Sequence, residues 1–185
     1  MTGIDATTEG AIEAQIISEI EAITADLDAQ SRSFEEAFRR ERIPYQVVGA
    51  VQFYERKEVK DVLAYLKLAV NPADDVAFRR IVNVPARGLG DTTIEAIASE
   101  SRAGAVSFYE ASQRLVARSV LPARALRPLA AFLDATSGFT ARAAVEPAAV
   151  VIEGIIEGTG YAAYLDKSFP GEGADRMDNV RSLRG

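Results

Sequence analysis

Between Glu55 and Val70 the residues Val59, Val62, Leu63, Leu66 and Val70 recur at the spacing of one helix face, and Asn71-Pro72 stops the run. A strand would alternate every second residue, so this stretch reads as the clearest helix of the chain. The same rhythm returns on both sides. Ile12, Ile16, Ile20 and Ile23 mark a helix from Glu9 to Leu27, and Phe34, Ala37 and Phe38 mark another from Gln30 to Arg42, ended by Pro44. Asp74-Asp75 can cap a short helix through Ile81, and Asp91 or Thr92 an N-terminus for a helix carrying Ile94, Ile97 and Ala98. Further helices are expected at about 107–118, 122–138 and 147–158, the last with Pro147 near its first position. Gly160 to Ser168 reads as a short helix or turn, Phe169 to Gly173 as a loop, and Asp175 onward as a final helix. Phe108, Leu115, Leu126, Leu129, Phe132, Val151, Ile155 and Ile156 are expected core. Only Tyr45-Gln46-Val47-Val48, closed by Gly49, reads as a strand. The expected fold is therefore mainly α and multi-helix, with at most a short β element.

Composition closes several functional doors. The 185 residues include no histidine and no cysteine. That excludes a Ser-His-Asp relay, a Cys-His pair, an imidazole or thiolate metal site and a disulfide. No Asp/Glu spacing demands a magnesium site and no Gly-rich phosphate loop occurs, so the chain alone is not expected to be an enzyme, and no catalytic or metal residue is assigned. No run approaches the ~18 apolar residues that span a bilayer. The start, Met1-Thr2-Gly3-Ile4-Asp5, lacks the charged and apolar regions of a signal peptide. No membrane partner is expected, and a cytoplasmic location fits the missing cysteines. The net charge of −6 counts against strong DNA binding by the whole surface, while leaving room for a small local contact.

That contact has one candidate. Arg87-Gly88-Leu89-Gly90-Asp91-Thr92-Thr93 follows Ile81-Val82-Asn83-Val84-Pro85 as a helix-turn-helix-like Gly-Leu-Gly hairpin. Two glycines let backbone amides approach a phosphate, and the helix N-terminus behind them adds partial positive charge. Thr92 or Thr93 can donate a hydroxyl and Arg87 can pair with the phosphate, whereas Asp91 repels it and serves better as a cap. The competing reading is a plain helix–helix turn with glycine in the left-handed region. Arg79, Arg80 and Arg87 form a small basic cluster, either on DNA backbone or paired with Asp74 and Asp75. Phe53-Tyr54-Glu55-Arg56-Lys57-Glu58 reads either as a single-strand contact or as packing under the long helix. Arg114, Arg118, Arg124 and Arg127 make a basic stretch, read as a solvated face or a second phosphate-facing surface.

Several ordered segments carry a resemblance. Gln30-Ser31-Arg32, Ile43 to Gly49 and Phe53 to Asp61 resemble the UvrD/PcrA/Rep helicases. So do Tyr65-Leu66, Asn71-Pro72, Asp74-Asp75, Arg80-Ile81, Asn83-Val84-Pro85 and Arg87-Gly88-Leu89-Gly90. The match is specific from Gln30 to Thr93 and looser beyond, up to Arg176 and Asn179-Val180. The resemblance implies a superfamily 1 motor that unwinds duplex DNA 3′ to 5′ with ATP and magnesium. It implies two RecA-like domains, 1A and 2A, and an inserted accessory domain, 2B, whose glycine turn touches duplex DNA. By that likeness residues 1–70 are an incomplete remnant of 2A and residues 71–185 a 2B-like helical domain. The DNA-contacting set would be Arg80 and Arg87 to Thr93, with duplex DNA or a single/double-strand junction and the rest of the motor as partners.

The departures limit the reading. The family's Tyr-Arg before Gln-Ser-Arg is replaced by Ala25-Asp26-Leu27-Asp28-Ala29, so Gln30, Ser31 and Arg32 stand as a motif remnant without a nucleotide role. No cofactor is expected for this chain. The function expected is a non-sequence-specific DNA-contacting and regulatory domain, not a motor by itself. The alternative is a protein-interaction or autoinhibitory module without DNA affinity of its own.

Overall fold

The structure, a computed structural model, describes residues 50–184. The helices expected at Glu9–Leu27 and Gln30–Arg42, the strand at Tyr45–Val48 and the Gln30-Ser31-Arg32 motif lie outside the described residues. Contacts divide the chain into two compact units, Met1–Arg56 and Lys57–Gly185. In the first, α1 (Ala50–Glu55) sets Phe53 edge-on to Tyr54, with ring centres 5.2 Å apart, and the Arg56 guanidinium lies 5.8 Å from the Phe53 ring centre. The helix expected to begin at Glu55 is broken at Arg56, whose N–H donates back to the Phe53 carbonyl at 3.2 Å.

The second unit contains α2 (Lys57–Val70), α3 (Asp75–Ile81), α4 (Asp91–Gly104), α5 (Phe108–Ala117), α6 (Ala123–Ala143), α7 (Ala148–Thr159), α8 (Tyr161–Ser168) and α9 (Gly173–Arg181), then a 3-10 turn at Ser182–Arg184. Among the described residues there is no strand, so the mainly α, multi-helix reading holds. No helix among them is long and apolar enough to cross a membrane.

The central element is α2, which packs against α3, α6, α7 and α9. Its buried residues are Glu58, Val59, Asp61, Val62, Ala64, Tyr65, Leu68 and Ala69. Of the expected stripe, only Val59 and Val62 are fully covered, and Leu63, Leu66 and Val70 lie at the margin. A helix surrounded on several sides buries more than one stripe, so the single-face expectation was too narrow.

The helix ends follow local chemistry. Asp74 caps α3, its Oδ1 accepting the Ala77 N–H at 2.8 Å, and the Ser107 side chain caps α5 through the Glu110 N–H. Pro147 stands at the N-cap of α7 and left-handed Gly160 at its C-cap. The sixth helix runs five residues past the expected end at 138. Phe139 explains the extension: it is buried and meets Tyr65 edge-on at 6.4 Å, so packing outweighs the helix-weakening Gly138.

Two apolar clusters result. In one, Phe78 meets Phe108 at 5.9 Å and Phe132 at 5.5 Å, with Ile81, Leu89, Ile97, Leu129 and Ile155 around them. The other joins Val62 to Ile152, Ile156, Tyr161, Leu165, Met177 and Val180. Each fully covered side chain of this size contributes about 1.5–3 kcal/mol. The expected core after residue 105 is buried except Leu126, which is half-buried.

Two buried carboxylates on α2 stitch the unit together. Asp61 accepts from Lys57 Nζ at 2.6 Å, Arg80 Nε at 2.9 Å and the Tyr161 hydroxyl at 2.8 Å. Glu58 accepts from Arg176 Nη1 at 2.9 Å and Asn179 Nδ2 at 2.8 Å. Burial and the Asp61 carboxylate push the Tyr161 phenol far up, which keeps it a donor.

Candidate nucleic-acid interface

Residues 82–90 join α3 to α4 and are held from within. The Val84-Pro85 peptide is cis. Asn83 Oδ1 accepts the N–H groups of Arg87 at 2.7 Å and Leu89 at 3.3 Å, an Asx-type closure of the turn. The Arg87 guanidinium points inward. Its Nη1 donates to the carbonyls of Ile81 at 2.9 Å, Val82 at 3.2 Å and Pro85 at 3.3 Å, and its Nη2 to the Tyr65 hydroxyl at 2.5 Å. Its Cζ lies 5.0 Å from the Phe132 ring centre. The Tyr65 hydroxyl in turn donates to the Val84 carbonyl. Burial raises the Tyr65 pKa against the opposing pull of Arg87, so the phenol keeps the proton it donates.

Leu89 anchors the tip: its side chain is buried in the core, while Gly88 and Gly90 on either side are exposed. Gly88 has φ +73°, a left-handed conformation that favours glycine, and a Cβ on either glycine would meet no atom within 4 Å. The glycines thus leave open space in front of the backbone. Gly90 is the N-cap of α4, extended at φ −82° and ψ 178°, and its carbonyl accepts from Thr93 and Ile94. No side chain caps this helix. The N–H groups of Gly88, Gly90, Asp91 and Thr92 have no acceptor among the described residues. Unfilled amides at a helix N-terminus attract anions.

Several expectations change here. Asp91 and Thr92 do not cap α4, because Gly90 already occupies the extended position where the helix begins. Thr93 is 9% exposed, whereas Thr92 is exposed. Arg80 pairs with Asp61 on α2, and Arg79 lies 4.3 Å from the Phe108 ring centre. Asp74 and Asp75 are committed to the backbone N–H groups of Ala77 and Phe108, so they pair with none of the three arginines. The three arginines therefore each have a different partner: Arg79 the Phe108 ring, Arg80 Asp61, and Arg87 Tyr65 and the carbonyls of its own connection. In the later stretch Arg114 pairs with Glu110 and Arg118 with Glu100, whereas the side chains of Arg124 and Arg127 are exposed with no partner among the described residues.

Tyr65 and Asn83 hold the turn and Asp61 holds Arg80, roles to which the sequence alone does not point. The available signal was polar residues at positions of an apolar helix face, Asp61 and Tyr65, and an asparagine just before a proline-containing turn.

These features define a helical unit that offers an uncapped, glycine-opened turn at a helix N-terminus. The chain belongs to the UvrD-like helicase C-terminal domain family, whose model matches residues 9–115. It is 33% identical over 162 residues to DNA helicase II of Escherichia coli strain K12, a match covering 88% of this chain and 22% of that protein. It is 38% identical over 159 residues to the ATP-dependent DNA helicase PcrA of Bacillus subtilis, covering 86% of this chain and 21% of PcrA. To the ATP-dependent DNA helicase UvrD1 of Mycobacterium tuberculosis it is 36% identical over 185 residues, covering 97% and 23%. The chain thus spans between a fifth and a quarter of the length of these relatives.

Proposed function

We propose that this chain is the accessory 2B region, with a strip of 2A, of an ATP-dependent UvrD/PcrA-type DNA helicase. Its task is non-sequence-specific contact with duplex DNA beside a single-strand junction. The observation that carries this reading is the turn itself. Four N–H groups, from Gly88, Gly90, Asp91 and Thr92, lie without acceptors behind two exposed glycines and in front of a helix dipole. Amides that address phosphate oxygens fix position on the duplex and carry no base information. The chain alone is not a motor: ATP, magnesium and strand separation belong to the remainder of the helicase, which is its constant partner.

The test is fluorescence anisotropy of a labelled duplex with a 3′ single-strand tail, titrated with this chain at low salt. Binding should weaken as salt rises. The slope should be shallow, because the contact uses amides rather than many cations. Absence of binding at every salt concentration would sink the DNA reading. It would favour the protein-interaction or autoinhibitory role, with which the net charge of −6 agrees.

A further inference from the structure

The function proposed above needs amides aimed at a phosphate, and backbone amides in a nine-residue connection do not aim themselves. An arginine beside a glycine turn invites the reading of a phosphate ligand. The geometry points to another role: we infer that Arg87 is a positioning residue, which with Tyr65 and Asn83 holds the Gly88–Thr92 backbone in its anion-ready conformation.

Every donor contact of the Arg87 side chain is internal. Its two terminal nitrogens reach carbonyls 81, 82 and 85 and the Tyr65 hydroxyl, and its Cζ lies 5.0 Å from the Phe132 ring centre. These partners sit in four places: the end of α3, the connection itself at Val82 and Pro85, the core of α2 and the middle of α6. A guanidinium fork suits this task because several donors leave one rigid plane. Its charge is also neutralised in part by the dipoles of the carbonyls it meets. Asn83 completes the frame by accepting the N–H groups that flank Gly88, those of Arg87 and Leu89. With those two amides consumed inside, the N–H groups without an acceptor among the described residues are those of Gly88 and Gly90, followed by Asp91 and Thr92 at the start of the helix. Preorganisation of this kind strengthens binding by removing the ordering cost, without adding a contact.

This inference rests on the DNA reading for its purpose but not for its test. The first arm needs no DNA: ¹⁵N relaxation of the Gly88 and Gly90 amides in the 185-residue chain. Arg87→Ala should leave these amides disordered on the fast timescale while amides in α2 and α6 keep wild-type order. Tyr65→Phe, which keeps the ring and deletes only the hydroxyl, should loosen them less; it serves if Arg87→Ala fails to fold. Turn amides as ordered in both variants as in wild type would overturn the inference. The second arm reads duplex affinity against salt. Arg87→Ala should weaken binding roughly tenfold with the slope of log K on log salt unchanged, because no phosphate partner is removed. A slope shallower by about one would make Arg87 a phosphate ligand and overturn the inference. Wild-type protein that binds no duplex removes the DNA reading, and the relaxation arm still decides the role of Arg87.

Discussion

Arg87 Nη2 lies 2.5 Å from the Tyr65 hydroxyl, tying the glycine turn to the central helix across 22 residues of sequence. Three carbonyls share the other terminal nitrogen, so truncation strands several acceptors at once. Hydrogen bonds to a charged donor contribute about 1.5–3 kcal/mol, and Arg87→Ala should lower unfolding free energy by about 2 kcal/mol. Tyr65→Phe should cost about 1 kcal/mol. Urea denaturation followed by circular dichroism measures both, and an unchanged midpoint for Arg87→Ala would contradict the inward geometry.

The two exposed glycines should separate under substitution. Gly90 is in an ordinary extended conformation with open space around it, so Gly90→Val should leave stability within about 0.5 kcal/mol and still block close approach to the amides. Gly88 has φ +73°, so Gly88→Val should cost about 1–2 kcal/mol as well. Melting temperatures and duplex anisotropy on the same samples resolve the two effects. Full DNA affinity in the Gly90→Val protein would argue against the amide surface.

Arg80 should behave as a structural partner of Asp61 rather than as a DNA contact. Its side chain is about a third exposed, and Asp61 keeps Lys57 and Tyr161 when it is removed. Arg80→Ala should therefore cost about 1 kcal/mol and leave the salt slope of duplex binding unchanged. Asp61→Ala strands all three partners and should cost about 3 kcal/mol. If Arg80→Ala flattens the salt slope while stability stays constant, the assignment of Arg80 to Asp61 is wrong.

Glu58 should give the unit an acid-sensitive joint. Burial pushes its carboxyl up, but its own backbone amide, Asn179 and Arg176 together hold it below the ordinary value of 4.5. A folded value below the unfolded one stabilises the fold above the unfolded pKa, and that contribution disappears as pH falls through the folded value. The stability difference between wild type and Glu58→Gln should therefore be largest near neutral pH and shrink as the pH falls below 4.5. Urea midpoints across that range check the sign; a difference that grows on acidification would contradict it.

Much of the helical layout was legible. Asp74 at the start of α3, Pro147 before α7 and the apolar positions of α5 to α7 are local signals, and they stand where capping and periodicity put them. The break at Arg56 and the extension of α6 to Ala143 were not legible. The first has no glycine or proline to announce it, and the second depends on Phe139 meeting a tyrosine 74 residues earlier in the chain.

The turn divides the same way. That glycines at 88 and 90 precede a helix can be read along the chain, because backbone freedom and helix starts are properties of neighbouring residues. The family can be read there too, through ordered motifs that run along the chain. Which way the arginines face depends on how the helices pack. Arg87 turns inward because Tyr65 and Phe132 bring a hydroxyl and a ring to it, and Arg80 turns to Asp61 because α2 and α3 pack together. A long cationic side chain takes the best partner within reach, and residues far apart in sequence supply that partner only once the helices have packed.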